Sequence, residues 1–141
     1  MTRKRCLICS TILLLLVLIG CGGTWVDDQR NFERIFGFSQ PPDVRVDHSY
    51  YWKSGHWSTE YRYFIALQSS AKFTSGLTSP DLMTAAVPDA AAADACGGQR
   101  PAWFLPKPAT SYEMWVSKRG TGYRVFRDKE SGALYVCDQR L

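Results

Sequence analysis

The chain has 141 residues and a formal charge of +4 from 17 Lys and Arg against 13 Asp and Glu, but three of the bases (Arg3, Lys4, Arg5) crowd the N-terminus. Setting those three aside leaves 14 bases against 13 acids with no basic stripe, which excludes a surface built to neutralise nucleic-acid phosphates. Aromatic residues at 13% and apolar residues at 45% exclude a disordered stalk, and the length suits a single domain.

Thr2-Arg3-Lys4-Arg5 forms a basic head, followed over residues 7–20 by an apolar run that is Leu-rich from Leu13 to Leu16. A run of 14 residues is shorter than the roughly 20 that span a hydrocarbon core. A basic head before a short apolar stretch is the signature of a secretory signal. The run closes on Leu18-Ile19-Gly20-Cys21, a branched apolar pair, a small residue and a cysteine, which resembles the lipobox of bacterial lipoproteins. The resemblance covers residues 1–21. It implies cleavage before Cys21, attachment of lipid to its sulfur and acylation of its new amino group. The chain then divides into a signal peptide over 1–20, a lipidated tether over 21–24 and one domain over 25–141. The implied location is the cell membrane or outer membrane, with the domain facing the periplasm. Gly22 follows the cysteine where some lipoproteins carry Asp, which resembles the pattern that enteric-type bacteria sort to the outer membrane.

Downstream, Phe32, Ile35 and Phe36 recur at i, i+3, i+4, with Asp27 and Asp28 where a helix dipole favours acids and Gly37 as a stop. This predicts a short amphipathic helix over 27–36. Pro41-Pro42 then extends the chain. Val44, Val46, His48, Tyr50 and Trp52 alternate with polar or smaller neighbours, predicting a half-buried strand with one apolar face. After the Ser54-Gly55-His56 turn, Trp57, Thr59, Tyr61, Tyr63, Ile65 and Leu67 alternate in the same way, and the two runs predict a β-hairpin.

Residues 69–110 are less regular. Ser79-Pro80-Asp81 offers an N-cap, a first-turn proline and an early acid, predicting a middle helix through Leu82, Met83, Ala86 and Val87 that stops at Pro88. The alanines of 90–95 suit either a further helical turn or a surface loop. Beyond them, a long connector rich in Gly and Pro carries Trp103, Phe104 and Leu105, which suits an extended segment pinned across the domain. Strands follow at 112–117, 123–127 and 134–138, the last two joined by a turn ending in Gly132. The sum is an α+β fold: an N-terminal helix, an antiparallel sheet of about five strands, a middle helix and a long connector.

Of five cysteines, Cys6 and Cys9 leave with the signal and Cys21 takes the lipid, so Cys96 and Cys137 remain for an oxidising compartment. A disulfide is the natural reading, against free thiols or a metal site that no CxxC or neighbouring His supports. His48 and His56 match no metal spacing. Glu60 and Arg62, with Asp43, Arg45 and Asp47, suit either paired carboxylates for acid–base work or solvated cross-strand ion pairs. No nucleophile elbow or phosphate loop accompanies them.

The aromatic density leans toward binding. Tyr51 and Phe64 fall on the opposite strand face from their neighbours and, with Arg62, mark a partner-binding patch, unless the Trp103 segment or a helix covers that face. The expected function is a lipid-anchored, non-catalytic binding or accessory module of the envelope. It has no cofactor and no nucleic-acid partner; its partners are the bilayer, through acylated Cys21, and an unidentified protein. Alternatives are an immunity or inhibitor lipoprotein that neutralises a toxin or hydrolase, and, more distantly, a small envelope enzyme.

Overall fold

Two meanders of antiparallel strands join through one central pairing in a computed structural model that describes residues 22–55, 59–94, 96–97 and 100–141. The strands are β1 (Gly23–Val26), β2 (Val44–Lys53), β3 (Tyr61–Ser69), β4 (Met83–Ala86), β5 (Tyr112–Ser117), β6 (Arg124–Asp128) and β7 (Leu134–Arg140). They form one seven-stranded sheet in the order β1-β2-β3-β7-β6-β5-β4, every neighbour antiparallel. The helices are short: α1 (Asn31–Phe36), α2 (Ala71–Leu77) and α3 (Ala90–Asp94), with a 3-10 turn at Ala109–Ser111. The fold is therefore mainly β, which corrects the expected α+β architecture of about five strands.

Both additional strands lie on the edges of the sheet. Gly22-Gly23-Thr24, expected to be a tether, instead leads into β1, where Gly23 pairs with Lys53 and Val26 with Tyr50. The middle helix is replaced by β4. Ser79-Pro80-Asp81 makes a turn in which the Ser79 carbonyl accepts from the amides of Leu82 (3.0 Å) and Met83 (2.9 Å). Residues 83–86 then extend and pair with 114–117 of β5, burying Met83. A ready sheet edge outweighs the modest helix propensity of so short a segment. The helix forms earlier, as α2, where the Ser70 hydroxyl caps the Phe73 amide at 3.2 Å.

Helix α1 starts at Asn31, later than expected. Asp28 precedes it and accepts from the Arg30 amide and the Arg34 guanidinium, both at 2.8 Å. Gly37, in the left-handed region at φ 77°, ends the helix as expected, its amide bonding the Glu33 carbonyl at 2.8 Å. The hairpin of β2 and β3 forms as expected, but not with an unbroken alternation. Val46 pairs with Leu67 and His48 with Ala66, leaving Asp47 as the extra residue of a β-bulge. Side chains alternate with period two, so the extra residue exchanges the faces of everything after it. Val44, Val46 and Tyr51 join Tyr63, Ile65 and Leu67 in one core, while Tyr50 joins Phe64 in the other.

The first face is covered by Phe32, Ile35 and Phe36 of α1 and by Phe73 and Leu77 of α2, with the Phe32 and Phe36 rings 4.7 Å apart. The second face lies under the connector, as its apolar triplet suggested. Phe104 sits 5.0 Å from Phe64, 5.7 Å from Tyr135 and 6.2 Å from Phe126. β3 is thus buried on both sides, all of residues 63–67 being buried. Phe64→Ala should lower stability by about 3–5 kcal/mol, and Tyr63→Ala by a comparable amount. Urea titration of the two variants checks this; a cost under about 1 kcal/mol for Phe64→Ala would place the second face outside the core.

Candidate functional site

The three residues expected to form a partner patch do not share a surface. Phe64 is 1% exposed beneath Phe104, so it touches no partner. Tyr51, past the bulge, packs on the first face with its ring 5.8 Å from Trp25. Arg62 alone stays half-exposed on the second face, opposite Trp52. Its Nε is buried and donates to nothing among the described residues. Cys21, His56 and Trp57 lie outside the described residues.

The bulge assembles a different aromatic surface. His48, Tyr50 and Trp52 follow one another at strand spacing on the second face of β2. Val26 of β1 pairs with Tyr50 and is 59% exposed. From the connector, Trp103 lies with its ring 5.3 Å from His48, nearly parallel at 23°. Nδ1 of His48 lies 3.6 Å from Oδ2 of Asp27. Tyr50, Trp52 and Trp103 are half-buried, and Tyr50 and Trp103 pack on the core of that face. The signal for this strip is the run Tyr50-Tyr51-Trp52, which puts aromatic rings on both strand parities; the bulge decides which parity joins the second face.

Cys96 and Cys137 are both fully buried and stand at disulfide distance, with Cα atoms 5.9 Å apart. They tie the connector to β7 beneath the same face. Between the connector and the far end of the sheet lies an open cleft of about 320 Å³, lined by Asp89, Asp94, Arg100, Lys107, Tyr112 and Phe126. Its lysine is already engaged: Lys107 Nζ bonds Asp128 and Glu130, each at 2.8 Å. The carboxylates of β2 and β3 are not brought together either. Arg45 pairs with Asp47 at 2.9 Å, while Glu60 lies at the opposite end of the hairpin. Among the described residues no group of three or more His, Cys, Asp and Glu is placed to hold a metal ion, and no helix is long and apolar enough to cross a membrane. The chain matches no protein-family model, no curated protein and no solved structure.

Two side-chain bonds carry perturbed protonation. The Tyr61 hydroxyl donates to Asp138 Oδ2 at 2.8 Å, and burial together with this bond pushes the phenol up to about 12. Asp128 is held down at about 2, by the Lys107 ammonium first and then by the Ser131 and Glu130 amides, which its Oδ1 accepts at 3.1 and 2.8 Å. A carboxyl depressed in the folded state adds stability that is complete above its unfolded value, 3.8, and lost as pH falls toward 2. Asp128→Asn should therefore lower stability at neutral pH and flatten the decline between about pH 4 and 2. Denaturant titrations across that range check it; an unchanged acid slope would show that Asp128 does not carry the effect.

Proposed function

We propose that this protein is a lipid-anchored envelope lipoprotein that binds a protein partner through Val26, His48, Tyr50, Trp52 and Trp103, acting as an accessory module without catalysis. The anchor reading is supported by the basic head, the short apolar run and Leu18-Ile19-Gly20-Cys21. The observation that carries the binding reading is the half-exposed strip itself, aromatic side chains held rigid from below by Phe64 and Phe104. Rigid Tyr and Trp side chains give large contact area with little ordering cost, which is why they dominate interface energetics. Cys96 and Cys137, bridged in an oxidising compartment, would hold the Trp103 segment in place under tension from a bound partner.

A photo-crosslinking residue at position 52, introduced into the full chain in its native membranes, tests the binding reading. It should give a discrete adduct that is weakened several-fold by Trp103→Ala, whereas the same probe at Phe38, exposed beside α1 on the other face, should not. Equal adducts at both positions would refute the strip. For the anchor, Cys21→Ser should abolish incorporation of labelled palmitate; labelling that persists would refute it.

A further inference from the structure

We infer that the end of the sheet nearest Cys21 carries a basic rim, centred on Lys53 and Arg140, that contacts anionic phospholipid headgroups. This rests on the lipid-anchor reading of Cys21. Gly22 lies so close to the backbone of Ser54 and Gly55, in the turn between β2 and β3, that a Cβ would overlap both. The next residue is already paired, in a row that crosses four strands: Gly23 with Lys53, Lys53 with Tyr61, and Tyr61 with Arg140. At about 4.8 Å per strand, Arg140 lies within about 15 Å of Gly23, two residues after Cys21. An acyl chain on Cys21 would therefore hold this row at the headgroups, with no tether to let the domain swing away.

The exposed chemistry of this end fits that position. Lys53 and Arg140 are exposed, Leu141 beside them is 72% exposed, and Lys118 and Arg119 occupy the turn between β5 and β6 at the same end. The acids at this end are Asp81, exposed before β4, Glu60, half-buried, and Asp138, buried and bonded to Tyr61. The opposite end mixes both signs, with Asp43, Arg45, Asp47, Lys72, Lys129 and Glu130. Juxtamembrane bases of this kind gain from the negative surface potential of anionic lipid, within a Debye length of the surface.

The lipidated full chain, reconstituted into phosphatidylcholine vesicles with or without phosphatidylglycerol, gives the test. Each lysine is acylated by a water-soluble reagent and its rate read by mass spectrometry. Lys53 should react at least about threefold more slowly in the anionic vesicles than in the neutral ones. Lys72 and Lys129, at the far end, should not change. High salt or Arg140→Glu should reduce the protection of Lys53. The same rate for Lys53 in both vesicle types would overturn the inference, whether that rate is fast or slow. A chain that lacks acyl mass and fails to float with vesicles would instead refute the anchor reading.

Discussion

The extra residue at Asp47 governs the molecule more than any other local feature. A strand offers only two faces, so one unpaired residue exchanges them for the rest of the strand. Ahead of it, Val44 and Val46 face the helices; beyond it, Tyr50 looks to the connector and Tyr51 to the helices. The exchange also buries Ser49, which needs a polar partner. Asn31 supplies it: fully buried, it donates from Nδ2 to the Ser49 hydroxyl and to the Trp25 carbonyl, each at 3.0 Å. Asp27 closes the node by accepting from the Ser49 amide at 2.8 Å, while its own amide bonds the Ser49 carbonyl. One bulge thereby locks β1, α1 and β2 together. Replacing Asn31 with an apolar residue would strand Ser49 without its partner.

Burial on both sides follows from what the two halves of the chain contribute. Antiparallel sheets commonly leave one face to solvent. Here α1, between β1 and β2, and α2, after β3, cover one face, and the connector before β5 covers the other. The central strands β3 and β7 see both, so polar residues stay out of the middle of each strand and gather toward its ends. Asp138 holds the Tyr61 hydroxyl, and Asp128, at the end of β6, organises the turn that leads into β7. Each carboxylate serves a hydrogen-bonding need of the backbone or a neighbouring phenol, so neither is idle.

Much of this was readable from residue order, and the failures have a common cause. Period-two runs announced β2, β3 and β5, the turn ending in Gly132 announced the pair β6 and β7, and Gly37 ended α1 where expected. Phe104 among prolines announced a pinned connector, and the cysteine count singled out the pair that meets. What was illegible depended on partners far along the chain. Four residues are too few to show a period, so β1 and β4 exist because an edge was free to pair with them. The N-cap at Ser70 was a local signal that the surrounding Ser and Gly obscured. The parity error on Tyr51 had no local signal, because a bulge is visible only against the strand it pairs with. The aromatic strip is illegible for that reason: unbroken alternation points to Tyr51, and the bulge puts Tyr50 and Trp52 on the second face instead.

The contact of Gly22 with the backbone of Ser54 and Gly55 bears on how this chain can evolve. In enteric-type bacteria, the residue after a lipidated cysteine is also an address, and Asp there changes the destination. If Cys21 carries the lipid, position 22 serves two masters. An acidic side chain would collide with the turn between β2 and β3 before any sorting machinery read it. If residue 22 is such an address, a single substitution there would not retarget the protein unless the turn changed as well. Under that reading, address and architecture share one residue, and a lineage that altered one would have to rebuild the other.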